Sequence, residues 1–254
     1  MAFTNTYTFG FAFGICLVCS LSLATVSQGL KERQDDNRRR DLQGNILNAL
    51  GVPEDGHALT GDEIDTLWVE RVEFRVIDAN GSIVEAAQGD QDGDGDLDET
   101  DVQLARAAVK GTDKAPAIYS VYVRKDGDSE GSYAIPMNGV GLWGPISGYL
   151  ALNPKATEVT GVTFFAPKET PGLGAEITTE KFKSQWLGKK VVDGSGEKKP
   201  IRVVKGEAKL LCPDDLDWCV DGVSGATITS RGVDEMVAQS IDWYDPYLKQ
   251  LRGR

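Results

Sequence analysis

The sequence predicts an α+β fold, with a mixed or antiparallel sheet and flanking helices, preceded by one N-terminal transmembrane helix. Three features point there: an uncharged apolar opening, a series of β-branched and aromatic runs broken by Gly, Pro and Asn, and helical periodicity after the opening and at the end of the chain. The 254 residues, 41% hydrophobic and 26% charged, can bury one good-sized core or two small ones. A formal charge of -12 argues against nucleic acid as a partner, because its phosphates would be repelled and no counterions released.

No charge occurs in residues 1–30, and residues 9–26 read FGFAFGICLVCSLSLATV, close to the length that crosses a bilayer core. Residues 1–30 are assigned as a transmembrane anchor rather than a cleaved signal: the segment lacks a basic start, and neither cysteine follows the small residue of a lipoprotein site. Lys31, Arg33, Arg38, Arg39 and Arg40 all follow the anchor and nothing basic precedes it, so the charge rule alone favours a cytoplasmic body. Cys16 and Cys19 lie on one face of the anchor and suit packing, since metal or cluster binding would need more ligands.

Leu42, Ile46, Leu47 and Leu50 recur at helical spacing before Gly51 and Pro53, which predicts a stalk helix over residues 31–52. Residues 53–254 then form the main domain. Strand character sets in around residues 69–77, and Asn80-Gly81 signals a hairpin turn before SIVEAA. AIYSVYVRKD, SYAIPM, VGLWGPISGYLAL and EVTGVTFFA read as further strands. TTEKFKSQWLGK, carrying Phe182, Trp186 and Leu187, reads as a helix; VVDGSGEKKP is an exposed turn before the strand IRVVKG; residues 229–243 form a final helix. Cys212 and Cys219 flank PDDLDW, where a short disulfide can form in an oxidising compartment.

The most specific run is Asp221-Gly222-Val223-Ser224-Gly225-Ala226-Thr227, followed by Ile228-Thr229-Ser230 and a helix. Six specified residues at ~5 to 8% usage each would recur by chance in about 1 in 10⁴ to 10⁵ chains of this length, which disfavours a bare Gly-rich turn. Small residues at Gly225 and Ala226 let the backbone approach a phosphate, and a helix starting after Thr227 offers free N–H groups and a positive dipole end. The run resembles the flavinylation motif of the FMN-binding domain family. That resemblance implies FMN held by a phosphodiester on Thr227, with Asp221, Gly222, Ser224, Gly225 and Ala226 around it. It also implies a flavin transferase that uses FAD as a partner in maturation, because an unaided threonine hydroxyl is a poor nucleophile. Thr229 is expected to cap the helix.

Pro167-Lys168-Glu169-Thr170-Pro171-Gly172-Leu173-Gly174 resembles a loop of the same family that packs beside the flavin ring. Leu173 would supply an apolar face, Gly174 backbone room and Thr170 a hydrogen bond to a ring edge, while Glu169 or Lys168 would influence the potential. Trp143 and Tyr149, in GLWGPISGY, are expected in the core rather than stacked on the ring. Across most of the chain, FGICLVCSLSLATVSQGLKERQ, SYAIPMNGVGLWGPISGY, PKETPGLGAEI, FKSQWLGK and DGVSGATITSRGV are similar to the C-subunit family of sodium-translocating NADH:quinone reductases. The flavin subunit of Rnf-type complexes, a relay between ferredoxin and NAD, shares the flavin motif and ETPGLG; SYAIPMNGVGLWGPISGY and QWLGK favour the C-subunit family. The resemblance implies an electron-transfer subunit of a multisubunit, sodium-pumping NADH:quinone oxidoreductase. With no GxGxxG in a strand-to-helix setting, since GVGLWG at 139–144 lies within a run read as strand, and no multi-helix membrane domain, the NADH, quinone and sodium sites would belong to the other subunits. In that family the flavin domain lies on the periplasmic side of the cytoplasmic membrane, against the charge rule, and we follow the family.

Residues 90–101 form an acidic insertion that departs from the family pattern. Asp90, Asp92, Asp94, Asp96, Asp98 and Asp101 follow calcium-loop spacing, with Gly95 at loop position 6 and Leu97 at position 8. Asp101 replaces the usual bidentate Glu, and the preceding segment reads as a strand, although VQLARAAVKG after it reads as a helix. Calcium here would be structural or regulatory; the alternatives are a solvated acidic loop and, for the chain as a whole, a calcium-dependent extracytoplasmic binding module. His57, in GVPEDGHAL, is expected at the surface, and no hydrolytic triad or other catalytic residue is assigned.

Overall fold

A computed structural model describes residues 5–109 and 115–253, and the chain divides after Gln43 into two units. Residues 1–4 of the predicted anchor and residues 110 and 111 of the predicted helix after the acidic loop lie outside the described residues. The first unit is helical: α1 (Asn5–Ala49) starts there and runs without a break through the predicted anchor and stalk, no Pro interrupting it. Phe9, Phe13, Leu21 and Leu23 are all exposed, and α1 is the one helix among the described residues long and apolar enough to cross a membrane. A helix satisfies its own backbone, as lipid requires. Arg39 bonds Asp36 at 3.0 Å and Gln43 at 3.2 Å.

In the second unit, Ile46, Leu47, Ala49 and Leu50 are buried. The Leu50 carbonyl accepts from Arg124 at 2.8 Å and from Ser132 at 3.3 Å, which satisfies an end that would otherwise lack donors. α2 (Gly61–Arg71) opens with the Glu63 carboxylate accepting the Thr60 N–H at 2.8 Å. The strand expected from residue 69 begins later, as β1 (Val72–Asp78), because the capped helix carries through to Arg71. The turn at Asn80-Gly81 forms, but SIVEAA returns only as a bridge from Ile83 to Ile77 before the short α3 (Ala86–Gly89), whose two alanines favour helix.

The main sheet is antiparallel throughout, in the order β1-β2-β3-β4-β5, with β2 (Ile118–Asp126), β3 (Ser129–Val140), β4 (Pro145–Leu152) and β5 (Val159–Phe165) where the sequence predicts strands. Pro136 interrupts pairing of β3 with β2. Extending the Tyr122–Ala134 register would set Ser120 opposite Pro136, which has no N–H, and the Ser120 carbonyl accepts instead from the Tyr244 hydroxyl at 2.8 Å. A parallel pair, β6 (Arg202–Val204) with β7 (Cys219–Asp221), makes the strand content mixed. Cys212 and Cys219 are joined in a disulfide at the start of β7.

The predicted helix around residue 182 is short, α5 (Glu180–Lys183) followed by a 3-10 turn, Ser184–Trp186. Phe182 and Trp186 are buried against Phe164, whereas Leu187 is exposed, so this run never had a long apolar face to support a longer helix. The last helix, α7 (Thr227–Arg252), is longer than predicted and passes through Pro246, because Tyr244, Tyr247, Leu248 and Leu251 continue its buried stripe. It packs on β3 so closely that a Cβ at Gly232 would fall 2.1 Å from the Val140 carbonyl oxygen. Alanine favours helix over glycine by about 1 kcal/mol, yet Gly232→Ala is expected to destabilise the domain by about 1–3 kcal/mol through that clash. Urea denaturation measures this, and a variant as stable as the parent would refute the close seating of α7 on β3.

Candidate functional site

β7 delivers the chain to the 221–227 run, and backbone bonds fix its course. The Asp221 N–H donates to Gln185 Oε1 at 2.9 Å, while its carboxylate accepts the Ala208 N–H at 2.6 Å, capping α6 (Ala208–Leu211). Gly222 donates to the Val204 carbonyl at 2.8 Å, Ala226 to the Val223 carbonyl at 3.1 Å, and Val223 to Ser230 Oγ at 3.0 Å. Gly225 sits at φ +78°, where a side chain is strained, and a Cβ there would lie 2.9 Å from Leu173 Cδ2. Thr227 is exposed at the first position of α7, and Ala226 before it offers no capping oxygen. The first N–H groups of α7 thus meet the space beside Thr227 without a side-chain cap.

Thr229 is not the cap that its position suggests. It is 1% exposed, and its hydroxyl donates to Glu169 Oε2 at 2.7 Å. Its face of the helix explains this, since Val233 and Val237 follow at four-residue steps and are also buried.

Glu169 is 7% exposed and accepts a second bond, from the Trp143 N–H to Oε1, at 2.8 Å. Gly174 provides room, but for this carboxyl group: a Cβ at Gly174 would fall 2.1 Å from Glu169 Oε2. The loop closes on itself, the Thr170 carbonyl accepting from Leu173 at 3.1 Å and Ala175 at 3.2 Å. Thr170 is exposed, and Leu173 is 43% exposed. The Trp143 side chain, expected in the core, is 64% exposed because it rides on the tight turn between β3 and β4, closed by the Gly141 N–H to the Gly144 carbonyl at 2.8 Å. Tyr149 is half-buried, edge-on to Tyr122 with ring centres 5.8 Å apart.

The two predicted segments therefore meet, through Leu173 at Gly225 and through Glu169 at Thr229. Ser224, Gly225, Thr227, Thr170 and Leu173 face outward, whereas Ala226, Glu169 and Gly174 are buried and Asp221 is tied into the fold. An open cleft of about 1270 Å³ runs beside Thr227, lined by Gly172, Phe182, Lys205, Ser224 and Arg231 among others. An exposed threonine, small neighbours and a helix N-terminus fit a phosphate esterified at Thr227. Sequence reading missed Thr229 and Ser230 as buried anchors, although their helical spacing carried the signal; it also missed the Trp143 N–H, for which a backbone group leaves no signal.

Of the acidic loop, Asp90, Asp92 and Asp94 bring carboxylate oxygens within 4.8 Å of one another. Asp90 also accepts the Gly95 N–H at 2.9 Å. Asp98 and Asp101 instead hold the start of α4 (Glu99–Ala108): Asp98 accepts from Thr100, and Asp101, 1% exposed, accepts from Asp98 at 2.9 Å and from Gln91. Asp96 is exposed. The segment before the loop is α3, not a strand, and Leu97 packs on a small core of Val76, Val102, Ala105 and Ile118. The Asp98 and Gln91 N–H groups hold the Asp101 carboxyl below its ordinary range. At Asp92 the Asp94 N–H favours the carboxylate, but desolvation and the charges of Asp94, Asp101 and Asp90 win and raise it. His57 lies in an exposed loop, Nδ1 2.7 Å from Asp55, whose hydrogen bond raises the imidazole pKa. Cys16 and Cys19 are exposed free thiols on α1.

The FMN-binding domain family matches residues 141–242. The C subunit of the Na(+)-translocating NADH-quinone reductase of Vibrio parahaemolyticus is 35% identical over 236 residues, 89% of this chain and 86% of that one. The crystal structure of the corresponding protein from Parabacteroides distasonis is similar with a TM-score of 0.67 and 32% identity, over 86% of this chain and 96% of that one. Shewanella oneidensis NqrC gives a TM-score of 0.67 at 27% identity, covering 86% of this chain and 100% of that one.

Proposed function

Because the chain belongs to the C-subunit family of Na(+)-translocating NADH-quinone reductases, we propose that it carries FMN as a phosphodiester on Thr227 and relays electrons within a complex that oxidises NADH, reduces quinone and moves sodium. One observation carries the residue assignment: Thr227 is exposed at the first turn of α7, beside a loop that brings Leu173 against Gly225. When bound, the flavin supplies the electron transfer. Gly225 and Ala226 keep the approach to Thr227 free of side-chain bulk, and the start of α7 draws the phosphate. Leu173 offers an apolar face to the ring and Thr170 a polar group at its edge, while Ser224 flanks the ester. Asp221 and Gly222 hold the run in register with β6 and β7. The covalent link keeps the cofactor from dissociating, and its formation falls to a flavin transferase that brings an activated flavin.

In this reading residues 1–30 anchor the protein in the cytoplasmic membrane by a single pass, residues 31–52 form a stalk, and residues 53–254 form the flavin domain on the periplasmic side. The Cys212–Cys219 disulfide supports that side, since thiols stay reduced in the cytoplasm. Other subunits of the complex supply the NADH, quinone and sodium sites. Asp90, Asp92 and Asp94 would hold a calcium ion on the surface of the domain, with Asp96 and Asp98 as further oxygen donors and Asp101 weakened in that role by its bonds to the backbone.

Co-expressed with the transferase, the protein is expected to fluoresce on a denaturing gel and to gain the mass of FMN less water on the Thr227 peptide. Thr227→Val keeps the shape and is expected to lose both signals; a fluorescent Thr227→Val band would move the attachment elsewhere. A C-terminal reporter that works only outside the cytoplasm is expected, and activity confined to the cytoplasm would reverse the topology. Calorimetry is expected to detect calcium binding at millimolar concentration, with proton release near the raised Asp92 pKa and affinity that falls as the pH drops and the carboxylates protonate. Absence of heat at millimolar calcium would leave a solvated loop.

A further inference from the structure

We propose that Thr229 is a positioning residue: with Glu169 it forms a buried clasp that sets loop 167–174 against the start of α7, and so sets where Leu173 stands against Gly225, two residues before Thr227. The inference rests on the FMN reading above and deepens it. Three segments remote in sequence converge on one carboxyl group. The Trp143 N–H reaches Oε1 at 2.8 Å, the Thr229 hydroxyl reaches Oε2 at 2.7 Å, and the Gly174 backbone approaches too closely to leave room for a Cβ. Both Glu169 and Thr229 are buried, so neither is spent on solvent. The carboxyl group therefore ties the β3–β4 turn, the loop and α7 into one rigid corner. Leu173 stands one residue before Gly174, and its Cδ2 lies where a Gly225 side chain would be, two residues from Thr227.

The clasp acts by geometry. Without the Thr229 hydroxyl, one carboxyl oxygen is left in a buried place with no donor, which opens the loop or admits water.

The test uses the full chain co-produced with the transferase, with covalent flavin counted by mass and samples compared at equal occupancy. Thr229→Val is expected to acquire the full flavin mass but to show a shifted visible flavin spectrum and midpoint potential, with amide exchange in loop 167–174 about tenfold faster. Thr229→Ser is expected to restore all three. Gly174→Ala, which crowds the same carboxyl group from the loop side, is expected to reproduce the Thr229→Val spectrum and carries the test should Thr229→Val not accumulate. Val102→Ala, in the small core under α4, serves as a matched destabilisation and is expected to lower the melting temperature without touching the flavin. Thr229→Val or Gly174→Ala with a parental spectrum and potential would overturn the clasp. A parent protein that never acquires flavin mass would overturn the FMN reading instead.

Discussion

The site depends on the carboxyl group of Glu169. A buried carboxyl group costs several kcal/mol unless its oxygens are satisfied, and here each oxygen receives a donor from a different part of the chain. The satisfaction is also a constraint, because the donors are held by elements that cannot move independently. The Trp143 N–H belongs to the turn between β3 and β4. Thr229 belongs to α7, which the Gly232 contact with Val140 seats on the end of β3. Strand, turn, loop and helix thus share one origin, and the segment that bears Thr227 inherits its position from it.

Within the 221–227 run the residues divide by role. Asp221, Gly222, Val223 and Ala226 direct their polar groups or bulk into the fold, stitching the run to β6, α6 and the first turn of α7. Ser224, Gly225 and Thr227 are left on the outside. A segment with this division can present a hydroxyl at a fixed place while offering little of its own chemistry to activate it. That is the geometry suited to acting as substrate for the proposed transferase.

The strands from residue 118 to residue 165 were legible because β-branched and aromatic runs stand between Gly, Pro or Asn breaks, and such runs suit strands that are buried along most of their length. The long apolar N-terminal helix was legible by length and lack of charge. Boundaries were less so. Val69-Glu70-Arg71 carries no pattern that separates a helix end from a strand start, and the Thr60–Glu63 cap, several residues upstream, decides it. The run around Phe182 and Trp186 looked like a helix because two aromatics four apart mimic a helical face, yet they bury in a single turn against Phe164. Trp143 was misplaced for a different reason. A large aromatic is usually buried, and nothing in the sequence marks the Glu169 carboxyl group that takes its N–H and holds it on an exposed turn. The 221–227 run stood out in the sequence by its composition, whereas the clasp behind it did not, since two of its contacts use a backbone N–H and the missing side chain of Gly174.

The acidic loop shows how one set of side chains can serve two ends at once. Backbone N–H groups already neutralise part of it: Gly95 on Asp90, Thr100 on Asp98, and Gln91 and Asp98 on Asp101. These bonds begin α4, whose Val102 and Ala105 pack with Val76 and Ile118 on the sheet. The helix therefore does not need an ion to start. An ion at Asp90, Asp92 and Asp94 would relieve the repulsion that raises the Asp92 pKa, but any demand it made on Asp101 would compete with the cap of α4. The geometry sets a limit on the affinity. The carboxylates still free to bind lie on the exposed side of the loop, and the residue at the bidentate position is the one most firmly committed to the fold, so a cation there would be held by fewer ligands than the six to eight calcium takes when fully enclosed.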